Sequence, residues 1–186
     1  MKLVLTRPAL AAILVCTIIG SGCGYNDLVR FGEGVDAAWG EIDNQLQRRN
    51  DLVPNLIETV KGYAKHEKEV LLKVTEARSR VAGAGSPGEA MTASNELSGA
   101  LARLLVVMER YPDLKANQSF LRLQDELAGT ENRLAVARTR YNETVREFNT
   151  QAKSFPRNFT AKLFGFAVRP YFEIPEEARS VPAVKF

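Results

Sequence analysis

Few side chains in this chain stand at spacings that suggest chemistry. The one histidine, His66, precedes Glu67 in Lys61-Gly62-Tyr63-Ala64-Lys65-His66-Glu67, which invites comparison with the His-Glu-x-x-His helix of zinc proteases. That helix needs a second histidine one turn later, on the same face, and the residue there is Val70. His66 with Glu67 therefore reads as a partly exposed or interhelical polar pair rather than a catalytic dyad. A single histidine leaves any metal site to carboxylates, which suits calcium or magnesium better than zinc. Inward Glu67, Glu131 or Glu143 would be the donors for the alternative reading, a ligand-binding or metal-dependent hydrolytic protein. Di-metal bundles, however, take a Glu-x-x-His from each of two helices, and no nucleophile stands beside a base. The expectation is no enzyme, no catalytic residue, no cofactor and no metal.

Two further stretches look functional at first sight. Gly83-Ala84-Gly85-Ser86-Pro87-Gly88 has the letters of a dinucleotide fingerprint, but that loop must follow a strand in a βαβ unit, and none surrounds it. As a connection it reads better: the glycines end one helix, Ser86 caps the next, Pro87 takes its first position and Glu89 completes a capping box. Arg48 and Arg49 could hold an anion, although cations at a helix end also complement the macrodipole. With +3 formal charge overall, and 23 basic against 22 acidic side chains from Cys23 onward, there is no electrostatic reason to expect nucleic acid.

The elements that would position these residues are helices. Phe120, Leu127, Leu134, Tyr141, Phe148 and Phe155 fall seven apart, which places a bulky apolar group on one side of a helix every two turns. Leu123, Ala137 and Val145 widen the stripe, and the helix from Asn117 to Phe155 would be roughly 57 Å long. A first helix from Asn26 carries Leu28, Phe31, Val35, Ala38, Ile42 and Leu46, with Trp39 at the edge of its stripe. Pro54 is tolerated only in a first helical turn, so the prediction is a stop near Arg49, a cap at Asp51 and a second helix with Val53, Leu56, Val60, Leu71 and Val74. A third runs from Pro87 to about Arg110, with Leu97, Leu101, Leu104 and Met108 inward and a loosely packed start at Ala90 to Ser94. Tyr111-Pro112-Asp113 breaks it, and Asn117 caps the fourth. The predicted fold is all-α, an antiparallel four-helix up-down bundle over residues 23–155.

The first 22 residues read as a signal peptide or membrane anchor: a basic start, an apolar run from Ala9 to Ile19, then Gly20-Ser21-Gly22-Cys23. The run is shorter than the roughly 20 residues that span a bilayer, and small residues before a cysteine resemble the bacterial lipoprotein processing box. Cys23 is then the predicted lipidation site, with a single-pass anchor as the alternative; Gly24 in place of aspartate favours the outer membrane if the cell is Gram-negative. Cys16 and Cys23 have no partner elsewhere, which excludes a structural disulfide in the folded part. The tail, 156–186, is aromatic-rich, and Pro156, Pro170, Pro175 and Pro182 prevent one continuous helix. Rings interleaved with cations suit a bilayer interface, so Phe159, Phe164, Phe166 and Arg169 are candidate membrane-facing residues beside the simpler expectation that the tail packs on the bundle.

Long motifs then carry a resemblance. Ala38-Trp39, Arg48-Arg49-Asn50-Asp51-Leu52-Val53-Pro54-Asn55-Leu56, Thr59 through Glu67, Asn95 through Leu101, Tyr111 through Asn117, Thr130 through Arg133, and the ending Pro182-Ala183-Val184-Lys185-Phe186 resemble the LemA family of bacterial membrane-anchored proteins. The resemblance implies a helical bundle behind an N-terminal membrane segment and brings no reaction with it. The expected role is a scaffold or adaptor in the bacterial cell envelope, meeting the membrane and an unidentified envelope protein, with self-association open. The turn at Arg48, Arg49, Asn50 and Asp51 is the candidate partner-facing surface, together with the turn at Tyr111 to Lys115, while the Gly83 to Gly88 loop should lie near the bilayer.

Overall fold

A computed structural model of the chain describes residues 7–173, with side chains described from Gly24 onward. Its elements are all helical: α1 (Arg7–Tyr63), α2 (Lys68–Ala82), α3 (Pro87–Met108), the single turn α4 (Pro112–Lys115), α5 (Gln118–Lys153) and α6 (Arg157–Phe164). Among the described residues no helix is long and apolar enough to cross a membrane. The expectations for Pro175, Pro182 and Phe186 lie outside the described residues, as does that for the side chain of Cys23.

The largest departure from expectation is α1. It does not stop at Arg49; it continues through Pro54 to Tyr63, and the first reversal comes at Ala64 to Glu67. The reason is visible one turn before the proline. Pro54 has no N–H for the carbonyl of Asn50, the helical acceptor four residues back, and Arg78 of α2 supplies the missing donor, its Nε lying 3.1 Å from that oxygen. With the carbonyl satisfied from outside, the apolar row Ile42, Leu46, Val53, Leu56 and Val60 stays buried without a break in phase. Asp51 is therefore a helix-interior residue and not a cap.

The chain divides into two compact units. The larger takes Trp39–Arg140 with Phe172 and Glu173. Its core joins Val53, Leu56 and Val60 of α1, Leu71 and Val74 of α2, Leu97, Leu101, Leu104 and Met108 of α3, and Phe120 and Leu127 of α5. In this unit α5 runs antiparallel to α1, since Arg133 meets Gln45 at 3.3 Å and Arg140 meets Glu41 at 2.8 Å. α2 is 15 residues long; returning beside α1 it docks Arg78 at Asn50 and ends one turn later at Ala82. The bilayer-side expectation for the Gly83 to Gly88 loop needed a second helix nearly as long as the first, and that premise is gone.

The caps expected at Ser86 and Asn117 are present. The Ser86 hydroxyl accepts from the Glu89 amide at 3.3 Å, and Glu89 reaches back to the Gly85 amide at 2.8 Å, one residue before the usual position of the box. Asn117 Oδ1 accepts from the Ser119 and Phe120 amides at 2.9 and 3.1 Å. The start of α3 is not loose: Ala90, Met91, Ala93 and Ser94 are all buried.

The smaller unit takes α1 up to Ala38, α5 from Tyr141, and the chain on through α6 to Tyr171. Leu28 of α1, Ala152 of α5 and Ala161 of α6 are buried together. Glycines let the long helices approach closely here, because a Cβ on Gly32 would stand 3.7 Å from the Phe148 ring and one on Gly34 3.4 Å from the Thr144 methyl. The heptad row is buried from Phe120 through Phe148, but Phe155 is 81% exposed. α5 ends at Lys153, two residues short, so Phe155 is released from the helical register.

Candidate functional site

Three places concentrate the side chains that bear chemistry, and each lies within one unit. The first is in the larger unit, where Arg49 occupies a core position of α1, in phase with Leu46 and Val53, and is only 5% exposed. Its Nη1 donates to the Ser98 hydroxyl at 2.9 Å and stands 2.7 Å from the Glu131 carboxylate. That second approach is an ion pair without hydrogen-bond alignment, since Glu131 Oε2 and Arg49 Nε are both buried without a hydrogen-bond partner. Arg138 lies 3.8 Å from the other Glu131 oxygen and donates to Ser94 at 3.0 Å. The Phe172 ring covers its guanidinium at 4.4 Å. Burial lowers the pKa of both arginines, opposed by the attraction of Glu131, and Arg49 lowers Arg138 further. Two guanidinium groups thus share one carboxylate, with two serine hydroxyls and an aromatic lid completing their surroundings.

This arrangement corrects the partner-facing expectation. Arg48, Arg49, Asn50 and Asp51 are helix interior rather than a turn. Arg48 and Asp51 face solvent, Asn50 is half-buried, and Arg49 is withdrawn into the core. The signal for Arg49 was its register: three residues beyond Leu46 and four before Val53, it continues the apolar row.

The second place is the true reversal between α1 and α2. The Glu67 carboxylate accepts from Tyr111 Oη at 2.8 Å and Arg110 Nη2 at 3.0 Å. This contact raises the Tyr111 pKa, chiefly because the phenol proton is held by Glu67. Asn117, while capping α5, also donates to Tyr63 Oη at 2.8 Å. These bonds tie the reversal to the α3–α5 connection. Beside it lies a groove of about 650 Å³ whose lining includes Lys61, Lys65, His66 and Lys68 around Ala64, Leu71 and Leu72, with no acidic residue. His66 is exposed in the turn. Glu143 is exposed and belongs to the other unit, and among the described residues no cluster of three or more His, Cys, Asp or Glu could hold a metal ion. The Gly83 to Gly88 loop borders a separate hollow of about 490 Å³, spanned by the Arg80–Glu96 ion pair at 2.7 Å.

The third place is α6 in the smaller unit. Of the four tail residues singled out as membrane-facing, Phe159 and Phe164 are 65% and 56% exposed. Phe166 instead packs against the cluster of Leu28, Ala152 and Ala161. Arg169 is engaged: its amide donates to Asn149 Oδ1 and its carbonyl accepts from Asn149 Nδ2, both at 2.9 Å, while its guanidinium reaches Asp36 at 3.4 Å. Phe155, which its spacing placed on the heptad row, is 81% exposed, and Leu163, which sequence reasoning did not single out, is 78% exposed.

Among the described residues every element is a helix, which defines an all-helical protein with one arginine–glutamate cluster inside and cations and rings exposed outside. The chain belongs to the LemA family, whose family model matches residues 38–186. Among its relatives are the magnetosome protein MamQ 2 of Paramagnetospirillum magneticum, 24% identical over 175 residues, and the protein LemA of Metamycoplasma hominis, 28% identical over 156 residues. Each alignment takes 80% of this chain; it covers 64% of the MamQ protein and 70% of the LemA protein.

Proposed function

We propose that this protein is a non-enzymatic, membrane-anchored component of the bacterial cell envelope, a scaffold or adaptor that presents a helical surface to a protein partner. In this reading the larger unit is a four-helix up-down bundle, the leader or a lipid on Cys23 anchors the chain, and the partner docks at the groove between α1 and α2. The observation that carries it is the groove itself: cations from Lys61, Lys65 and Lys68 surround an aliphatic floor, while nearby Glu67 and Glu69 are occupied by Arg110 with Tyr111 and by Lys73. A concave surface with unneutralised positive charge favours an acidic segment that inserts an apolar side chain. The exposed tip for a partner is thus the Ala64 to Glu67 reversal, in place of the expected turn at Arg49. That relatives are named for the magnetosome, by the structure they belong to rather than by a reaction, agrees with a non-catalytic role.

The test is a photo-crosslinking amino acid at Leu72, which is 57% exposed, used in living cells. The expected product is a protein joined through an acidic segment and lost when Lys61, Lys65 and Lys68 are together changed to Glu. Products unchanged by that charge reversal, or consisting of lipid alone, would overturn the reading.

A further inference from the structure

We propose that α6 is an interfacial foot, a short helix that lays Phe155, Phe159, Leu163 and Phe164 into the headgroup region of a lipid bilayer. Among the described residues, twelve large apolar side chains are exposed, and six of them fall between Phe155 and Tyr171. A patch that concentrated marks an interaction surface. α6 is amphipathic in an unusual sense: its small residue, Ala161, is buried against Leu28 and Ala152, while Phe159 and Leu163, one turn apart, face outward at 65% and 78% exposure. Phe155 extends the row, meeting Phe159 edge to face at 6.0 Å, and Phe164 meets Tyr25 edge to face at 4.8 Å.

Two observations select a bilayer as the occupant. From Phe148 to Phe172 there is no Asp or Glu, but there are four cations, Lys153, Arg157, Lys162 and Arg169. Arg157 and Arg169 answer Asp27 and Asp36, and the exposed Lys153 and Lys162 remain to meet lipid phosphates, the pairing of rings and cations that an interface rewards. In addition, α6 packs on Gly24, where an added Cβ would lie 3.5 Å from Arg157 Cγ and 3.6 Å from Thr160 Oγ1. Gly24 follows Cys23, so an anchor at that point brings α6 to the lipid with it. The inference rests on the membrane anchoring proposed above, and its test separates the two.

The full-length chain is mixed with vesicles of phosphatidylcholine and phosphatidylglycerol. Flotation reports the anchor. Immersion of α6 is read by brominated acyl chains quenching an indole introduced as F164W in a W39F background, since Trp39 is the single tryptophan. The expected result is flotation with strong quenching, reduced several-fold by F159E while flotation persists. Because W39F could disturb packing, hydrogen exchange of the unsubstituted chain is the second measurement, with amides of residues 155–164 slowing when vesicles are added. Flotation without quenching or protection overturns the foot and leaves the anchor standing, whereas no flotation overturns both. Protection that appears with rising protein concentration in the absence of lipid would assign the patch to a second copy instead.

Discussion

Replacing Arg78 with methionine should destabilise the larger unit more while Pro54 is present than when it is replaced. In the native chain the Asn50 carbonyl lacks its helical donor, and Arg78 Nε satisfies it at 3.1 Å. A hydrogen bond from a charged donor contributes about 1.5–3 kcal/mol, and leaving the acceptor unmet costs about 1–3 kcal/mol. Arg78 is half-buried, so water partly replaces it, and about 1.5 kcal/mol is expected for R78M. In P54A, residue 54 regains its N–H and bonds Asn50 within α1. R78M should then cost no more than about 0.5 kcal/mol, a coupling of about 1 kcal/mol between the two sites. The measurement is urea unfolding of the four chains of this cycle in mild detergent, followed by helical circular dichroism. Equal costs for R78M in both backgrounds would refute the view that α1 survives its proline through a donor borrowed from α2.

Other substitutions probe the remaining contacts. Glu131→Gln leaves Arg49 and Arg138 with no anion between them, and because Arg49 is buried while Glu131 is partly solvated, a loss of about 2–3 kcal/mol in unfolding free energy is expected. Ser86→Ala removes the α3 cap and should cost about 1 kcal/mol, read as a lower melting temperature. The raised pKa of Tyr111 means that its bond to Glu67 contributes below the ordinary tyrosine range, near 10.0, and is lost as pH rises through the folded-state value. An ultraviolet titration against Y111F should show late phenolate formation, returning toward the ordinary value in E67Q. Phe159→Glu alters an exposed position and should leave the melting temperature in detergent nearly unchanged.

Much of this molecule follows from local rules. The heptad from Phe120 to Phe148 is buried as its period requires, and Ser86 and Asn117 cap α3 and α5 because a side-chain oxygen at that spacing reaches the free amides whatever surrounds it. The site surfaces were less legible. Phe155 continues the seven-residue spacing but lies beyond Lys153, where the helix ends, so it turns outward with Phe159 and Leu163. The cationic groove was hidden behind the misplaced turn at Arg49.

Sequence alone determined that the chain is helical, where α2 ends, α3 begins and ends and α5 begins, and which faces of them are apolar, since those depend on neighbours within a turn or two. Tertiary structure decided the rest. Whether Pro54 ends a helix depended on Arg78, 24 residues further on, and whether Arg49 is surface or core depended on Glu131 and Ser98 arriving from other helices. An unmet carbonyl and a buried charge are each unfavourable in isolation, and only a partner brought from a distant part of the chain makes them stable.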